Sequence, residues 1–435
     1  MDALTSEGVL VSEGGLVSQK FLEELHVHVC AIISLLRLPE SSGAEWDDAL
    51  NAFESEFVHA LTPATPVMDS RTSSAFFRLA LHGILKHGGA GGVCCLAKTE
   101  PGVRAFAARV MAEGWEEDDM RSSWDSVNYL PPSFVDENTP RWIHKDARLS
   151  VTRYDGTQLL FNLRDVPQDG PAGDAAFVCV PGSHADVFTE SGLVAQGLDA
   201  TAVSQRFRND FVMLSAMSKD GADPTQSPLW KPGRTLRRTV LPALGGVAWD
   251  SRIIHCGSLF SKPGRPFARA VKYVHFFRAS QHKMAANKTH QLLKLMIGDA
   301  TQHLSALPIA VTTPHRGNRK NSDGHFPTFR VAGEQLRIVS RLNAALDDPR
   351  VRPFFTLPHQ LARAIRLLGN DRPLGEITRS VRTFLGDGPS PPDALSEEDK
   401  ARLCLLRKFH APLEESRKRQ RFREFFRKTS PAATK

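Results

Sequence analysis

Cysteine is sparse in this chain, and its spacing is irregular. Six cysteines occur among 435 residues, without any Cys-x-x-Cys pair. They are Cys30, Cys94, Cys95, Cys179, Cys256 and Cys404. In a chain of this length, that pattern indicates reduced thiols and not a disulfide framework. We therefore expect an intracellular, cytoplasmic protein.

Long hydrophobic runs are also lacking. The longest apolar stretch, residues 27–38, is too short to cross a bilayer and contains His28 and Arg37. Residues 1–16 have no basic residue ahead of an apolar run, so they do not match a secretory signal. We expect a soluble protein that has no membrane partner.

The composition is otherwise typical of globular proteins. Hydrophobic residues make up 41% of the chain and charged residues 24%. The net charge of +7 is concentrated near the C-terminus, where residues 401–435 contain eleven Lys or Arg and three Glu. The basic character therefore belongs to the tail, and the rest of the chain is close to neutral.

Segments with helical spacing of apolar residues lie on both sides of a central section that has a strand-like pattern. On the N-terminal side, this spacing predicts helices near 17–37, 44–61, 73–87 and 101–114. Residues 1–16 are rich in Ser, Gly and Glu, and we expect them to be flexible. On the C-terminal side, the same spacing predicts helices near 283–297, 333–347, 357–369, 373–386 and 397–427. Residues 281–435 thus form a predicted helical C-terminal region that ends in a basic tail, 415–435.

The central section, about 130–280, contains short β-like runs separated by turn residues. They lie at 141–154, 158–165, 175–181, 244–255 and 268–278. A mixed insertion at 185–237 includes a predicted helix near 198–217. Several short strands in this order indicate an antiparallel barrel or jelly roll. The predicted class is α+β, with the helices of 17–120 packed against the sheet.

Two His-x-Asp tripeptides are candidate metal-ligand pairs. On a strand, residues two apart project to the same side, so His144 and Asp146 can face one ion together. That pair lies in an apolar strand pattern that begins at Trp142. The second pair, His184 and Asp186, follows a Pro-Gly-Ser turn and precedes a polar region. We favour the first pair, because a ligand pair needs a rigid strand.

His255, in a later strand-like run, is the candidate third ligand. Two histidines and one carboxylate hold one face of a divalent iron and leave the opposite positions open. Each residue also has an ordinary explanation, since His144 and His255 would suit a protein core and Asp146 a turn. Their order and strand context, together with an arginine downstream, favour the triad.

That arginine is Arg269, in a run that predicts a strand. A guanidinium binds a carboxylate with two parallel hydrogen bonds and stays charged when buried. Arg269 could therefore anchor the distal carboxylate of a 2-oxo-diacid. Arg265 is the competing anchor, but it lies in a Lys-Pro-Gly-Arg-Pro turn that is less rigid. A surface salt bridge is the alternative role for Arg269.

Residues from about 140 to 278 resemble the phytanoyl-CoA dioxygenase-like family of Fe(II)/2-oxoglutarate-dependent oxygenases. Four segments carry the resemblance: Trp-Ile-His-Lys-Asp at 142–146, Phe-Val-Cys-Val-Pro-Gly-Ser-His at 177–184, 245–258, and the strand that contains Arg269. Asp174-Ala175-Ala176 departs from the family pattern, which often has an Asn-Gly pair there. The segment between the Pro-Gly-Ser-His turn and His255 is also long.

The resemblance implies a double-stranded β-helix core within an oxygenase-like domain at 17–280. It implies that His144, Asp146 and His255 bind Fe(II), that Arg269 anchors 2-oxoglutarate, and that Asn162 contacts this cosubstrate. It further implies that His184 is no ligand. The expected activity is hydroxylation of a small organic or acyl substrate by O2, with conversion of 2-oxoglutarate to succinate. Because Asp146 is present, we expect no chlorinated product.

Two other functions fit the same sequence. An inactive barrel could serve as a binding or scaffold protein through its helices and basic tail. The interleaved basic and aromatic residues of 417–428 also suit an oxygenase that acts on nucleic acid, or a nuclear-import signal. We do not favour the function in nucleic-acid modification, because Phe422, Phe425 and Phe426 have the spacing of an apolar helix face.

Overall fold

The structure is a computed structural model. It describes residues 6–12, 14–39, 43–59, 84–85, 96–110, 120–122, 127–130, 143–146, 149–150, 156–162, 177–207, 212–214, 224–239, 241, 244–257, 269–278, 341–342, 344–385 and 394–410. The predicted helix at 283–297 and the basic tail 415–435 lie outside these residues.

The described strands form two antiparallel sheets. In chain order, they are β1 (Val9–Val11), β2 (Ile84–Leu85), β3 (Met120–Ser122), β4 (Val127–Leu130), β5 (His144–Lys145), β6 (Gly156–Asn162), β7 (Phe177–Val180), β8 (Val212–Met213), β9 (Arg237–Thr239), β10 (Gly246–Asp250), β11 (Ile254–Gly257) and β12 (Arg269–Arg278). The large sheet has the order β1-β10-β6-β12-β4-β2, and β3 also pairs with β12. The small sheet has the order β8-β5-β11-β7-β9.

Helices surround the two sheets. They are α1 (Gln19–Leu36), α2 (Ala44–Phe53), α3 (Pro101–Val110), α4 (Glu190–Ala195), α5 (Ala200–Phe207), α6 (Leu357–Leu367), α7 (Leu374–Leu385) and α8 (Glu397–His410). A π-helical turn, Glu54–His59, continues α2. Among the helices that the structure describes, none combines the length and apolar composition required to cross a bilayer.

Alternating side chains place each sheet between two apolar layers. On β6, Leu159 and Phe161 pack against α1–α3 and α6–α8, whereas Leu160 packs between the sheets. On β7, Phe177 belongs to the layer between the sheets, and Val178 packs against α4 and α5. This alternation follows from the two-residue repeat of a strand. The fold is α+β, as expected.

Several predicted elements are confirmed. The helices expected near 17–37, 101–114, 357–369 and 373–386 correspond to α1, α3, α6 and α7. The N-terminal helices pack against the sheet, since α1 and α3 share one apolar core with the large sheet. The helix expected near 44–61 is also present, as α2 followed by the π-helical turn.

Other expectations are wrong. No strand was predicted within residues 1–16, but residues 9–11 form β1 at the edge of the large sheet, where Val9 pairs with Trp249. Within the helix predicted at 73–87, Ile84 and Leu85 form β2, and within that predicted at 198–217, Val212 and Met213 form β8. In each case, pairing with a distant strand overrides the local pattern.

Two predicted strands also differ from the structure. The run 244–255 is two strands, β10 and β11, because a turn follows Asp250 and its carbonyl accepts a hydrogen bond from Ile253 N–H at 2.9 Å. The run 141–154 contains only the two-residue β5 among its described residues, and residues 149–150 form a turn.

A buried ion pair joins the N-terminal and C-terminal helices. Arg363 on α6 donates to Glu24 on α1 at 2.9 Å and to the Phe57 carbonyl at 2.8 Å. Both charged side chains are fully buried. Burial raises the pKa of Glu24 in spite of the attraction of Arg363. The pair therefore offsets only part of the cost of removing the carboxylate from water.

Breaking this pair on one side should destabilise the protein strongly. We expect Glu24→Ala to lower the free energy of unfolding by about 3–5 kcal/mol, because Arg363 would stay buried without its counter-charge. The control is Asp47→Ala, which removes a mostly exposed partner of Arg350 and should cost less than about 1 kcal/mol. Urea unfolding measures both. Equal losses in the two variants would contradict the expectation.

Candidate metal centre

The small sheet brings His144 and His255 together. These residues are direct partners in the antiparallel pair β5–β11. Directly opposed residues project to the same face of a sheet. Their ring centroids are 4.4 Å apart. Since Ile254 and Cys256 pack on the outer face of β11, both imidazoles occupy the inner face, towards the large sheet.

Asp146 completes the group. Its Oδ1 lies 3.4 Å from His144 Nε2, and its Oδ2 lies 3.4 Å from His255 Nε2. One ligand atom from each residue lies within 4.8 Å of the others. The expectation that Asp146 lies within a strand is wrong, because β5 ends at Lys145 and Asp146 occupies a bend. The bend still directs the carboxylate to both rings.

These distances fit a shared cation. Two ligand atoms that each lie about 2.0–2.2 Å from one ion are about 3–3.5 Å apart when they occupy adjacent coordination positions. The carboxylate and imidazoles are ligands that divalent iron accepts. Among the residues that the structure describes, this is the one group of three such side chains close enough to hold a metal.

Neighbouring groups fix the orientation of two of the three side chains. His255 Nδ1 lies 3.1 Å from the Ile253 carbonyl oxygen. Because a carbonyl only accepts, Nδ1 carries a proton in either form of the ring. In the neutral form Nε2 has a lone pair for a metal, and in the imidazolium form Nε2 donates to Asp146. Gln158 on β6 donates from Nε2 to Asp146 Oδ2 at 2.8 Å. Contacts of this kind orient ligands in metal sites.

The surroundings keep Asp146 ionised. Burial opposes its charge, but the hydrogen bond with His255, the nearby His144 and the Gln158 amide together hold the pKa of Asp146 below its usual range. The carboxylate thus offers negative charge at ordinary pH. Its side chain is 27% exposed and that of His255 only 6%, so solvent reaches the cluster at the carboxylate.

Aromatic rings enclose the His255 side of the cluster. The ring centroids of Trp249 and Phe177 lie 5.3 and 5.6 Å from that of His255. Trp249 is 3% exposed, and within the described part of the chain its indole N–H has no hydrogen-bond partner. A buried donor without an acceptor is costly, so an oxygen-bearing ligand beside the cluster would suit this position.

The second His-x-Asp pair lies in the turn that follows β7. Asp186 pairs with Arg234 at 3.0 Å. The turn before it positions the strand of His255, because Ser183 Oγ donates to the Val180 carbonyl at 2.7 Å and accepts from Ile254 N–H at 2.8 Å. The Pro-Gly-Ser-His turn therefore ends β7 and supports β11.

The two predicted cosubstrate residues lie on neighbouring strands of the large sheet. Asn162 is the last residue of β6 and pairs with Val271 on β12. Its amide donates to the Leu241 carbonyl at 3.3 Å. Arg269 is the first residue of β12 and pairs with Leu130, so the expected strand position is confirmed. The Arg269 side chain and all of Arg265 lie outside the described part of the chain.

The contacts that Gln158 and Ser183 make were not predicted from the sequence. In the sequence, Gln158 is a single polar residue in a strand. Its role becomes visible only in the structure, where it donates a hydrogen bond to Asp146. The sequence contained one weak signal for this site. Positions 158 and 162 are polar and lie two residues on either side of Leu160, so they share the strand face of Leu160, which points into the space between the sheets.

No family model and no curated protein matches this chain. Among solved structures, it is similar to EvdO2 from Micromonospora carbonacea var. aurantiaca, with 13% identity, coverage of 63% of this chain and 87% of that one, and a TM-score of 0.30. It is similar to iron-bound HygX from Streptomyces hygroscopicus, with 12% identity, 63% and 84% coverage, and a TM-score of 0.33.

A third similar structure is the epimerase SnoN in complex with Fe3+, alpha ketoglutarate and nogalamycin RO. It has 16% identity, coverage of 56% of this chain and 90% of that one, and a TM-score of 0.31. Likenesses at this level carry no argument for the fold or the activity of this chain. The resemblance to the phytanoyl-CoA dioxygenase-like family likewise finds no support among these matches.

Removing the Gln158 amide should weaken metal binding. We expect Gln158→Ala to lower the affinity for Fe(II) by about 10–100-fold, because Asp146 loses the hydrogen bond that orients it. The matched control is Gln196→Ala, at an exposed residue that follows α4. Anaerobic titration with Fe(II), with Co(II) as a spectroscopic substitute, measures the affinity. An unchanged affinity in Gln158→Ala would contradict this role.

Proposed function

We propose that this protein is an Fe(II)/2-oxoglutarate-dependent dioxygenase that hydroxylates a small organic or acyl substrate. The observation that carries the proposal is the convergence of His144, Asp146 and His255 from two strands and a bend. Two imidazoles and one carboxylate bind iron on one face and leave the other positions for cosubstrate and O2.

The strand order supports a double-stranded β-helix core. From β4 to β7, consecutive strands alternate between the large and the small sheet, and β9 to β12 alternate in the opposite sense. Because the two sheets share an apolar layer, this alternation winds the chain around a common interior. A jelly roll built in this way suits a site on the inner face of one sheet.

In this proposal, residues of the chain bind and orient the iron, and the iron supplies the chemistry. His144, Asp146 and His255 would hold the iron, which together with 2-oxoglutarate and O2 supplies the oxidising power for hydroxylation. Gln158 orients the carboxylate, and the Ile253 carbonyl sets the tautomer of His255. Phe177 and Trp249 exclude water from the His255 side, which strengthens polar interactions there.

The large sheet would bind the cosubstrate. The register β6–β12 supports this role, because Asn162 pairs with Val271, two residues from Arg269. Positions 269, 271 and 273 share one face of β12, and Val271 packs between the sheets. We propose that Arg269 binds the distal carboxylate and that Asn162 contacts the same molecule. The unpartnered indole N–H of Trp249 is a further donor beside the metal ligands.

Succinate formation tests the proposal. We expect the purified protein to convert 2-oxoglutarate to succinate in the presence of Fe(II) and O2, slowly even without the substrate. Asp146→Ala should reduce the rate to that of the metal-free protein, because it removes the carboxylate ligand. Asp186→Ala is the matched control, since Asp186 belongs to the other His-x-Asp pair and contacts Arg234.

The outcome also separates the oxygenase from a scaffold. A folded protein that yields no succinate with Fe(II), across a panel of candidate substrates, would favour an inactive barrel with a binding role. Activity retained in Asp146→Ala would remove the triad from the mechanism. The oxygenase that acts on nucleic acid depends on residues 415–435, which lie outside the described part of the chain.

The identity of the cosubstrate anchor gives a second test. We expect Arg269→Ala to weaken 2-oxoglutarate binding about 10-fold or more, because a charge-assisted hydrogen-bond pair is lost. Arg265→Ala, the competing anchor, serves as the matched control and should have little effect. Calorimetric titration of the Mn(II)-loaded protein with 2-oxoglutarate measures both. The reverse ranking would assign the role to Arg265.

A further inference from the structure

A cavity lies between the π-helical turn Glu54–His59 and the helices α6 and α7. It has a volume of about 460 Å³, which is within the range of small-molecule sites. The π-helical turn, α6, and α7 from its first to its last turn form the walls. Its lining residues are Val58, His59, His359, Arg366, Pro373, Leu374, Gly375, Thr378, Arg379 and Arg382.

The lining is strongly basic. Arg366, Arg379 and Arg382 line the cavity, and no described lining residue carries a carboxylate. Of the lining residues, His59 has an acidic neighbour, since Glu54 Oε1 lies 3.6 Å from His59 Nε2. Like charges around a common space repel each other, and a bound anion would offset that repulsion.

Backbone N–H groups add to the positive potential. Leu374 and Gly375, which line the cavity, are the first two residues of α7, a helix of 12 residues. The first N–H groups of a helix have no partner within the helix, and the helix dipole places partial positive charge there. Phosphate groups bind at such positions.

His359 provides an independent indication of a ligand. It is 6% exposed and lines the cavity, yet its Nε2 has no hydrogen-bond partner among the described residues. Burial, with the charges of Arg363 and His59, lowers the pKa of His359 to about 3. The ring is therefore neutral, and its Nε2 can donate a hydrogen bond or accept one at low electrostatic cost.

We propose that this cavity binds a small phosphate-bearing ligand, held by Arg366, Arg379 and Arg382, by the N-terminus of α7 and by His359. Arginine forks suit phosphate oxygens, and a phosphate in turn satisfies several donors at once. The concave shape favours a small molecule over a nucleic-acid strand, which would need an extended groove.

This site is separate from the metal centre. The metal ligands lie on the inner face of the small sheet, whereas α6 and α7 pack in the apolar core on the outer face of the large sheet. The proposal therefore does not depend on the oxygenase activity. An experiment can therefore refute the phosphate site without refuting the oxygenase function, and the reverse.

Calorimetric titration of the full-length protein with pyrophosphate and with ATP tests the proposal. EDTA is present throughout, so that no metal mediates binding. We expect both compounds to bind, and we expect Arg379→Ala/Arg382→Ala to weaken the binding about 10-fold or more. Arg379 and Arg382 are exposed on α7, so their removal should leave the fold intact.

The matched control is Arg372→Ala/Arg407→Ala. It removes the same amount of charge from exposed positions that do not line the cavity, and it should leave the affinity within about 2-fold, since exposed charges are screened by salt. Equal weakening in both double variants would assign the effect to net charge and overturn the proposal. So would the absence of any binding.

Two further measurements complete the test. Asp146→Ala should bind pyrophosphate as the wild type does, and loss of binding there would place the phosphate at the metal centre and overturn the proposal. A single-stranded DNA oligonucleotide is the last probe. If the DNA binds through Arg379 and Arg382 while pyrophosphate and ATP do not, the cavity belongs to a nucleic-acid surface and the proposal is wrong.

Discussion

The candidate site depends on one cross-strand pair, His144 opposite His255. The two residues are far apart in sequence, and β5 contributes a single registered pair to β11. A slip of one residue would turn one imidazole to the opposite face, because side chains alternate along a strand. The register of β11 is instead set by four pairs with β7 and by Ser183, which bonds Ile254 N–H. The metal geometry thus rests on the Pro-Gly-Ser-His turn.

The N-terminal segment connects the two sheets at this end of the molecule. β1 extends the large sheet beside β10. Two residues earlier, the Glu7 carbonyl accepts from Gly182 N–H at 2.7 Å, and the Glu7 carboxylate pairs with Arg237 on β9 at 2.8 Å. Gly182 has a φ of 76°, which glycine adopts without strain. Residues 7–11 therefore contact the large sheet, the Pro-Gly-Ser-His turn and the small sheet.

The sequence identifies the three side chains of the candidate metal centre more readily than it identifies their surroundings. His144, Asp146 and His255 could be selected because strand periodicity and a family resemblance agreed on them. The strand at residues 9–11 and the role of Gln158 could not, because each depends on a partner more than ten residues away that no local pattern identifies. Helices such as α6 and α7 were predicted well, since an amphipathic repeat is contained within the helix itself.

The C-terminal helices and the sheets form a common core. Val274 and Phe276 on β12 are buried in the same apolar cluster as residues of α6, α7 and α8, and Phe276 contacts Phe409 of α8 with ring centroids 5.8 Å apart. The opposite face of β12 packs Val271 between the sheets. Without the C-terminal helices, the outer face of the large sheet would expose a broad apolar surface, which soluble domains avoid. Helices α6, α7 and α8 are therefore part of what stabilises the large sheet, and the buried pair of Glu24 and Arg363 links α1 to α6.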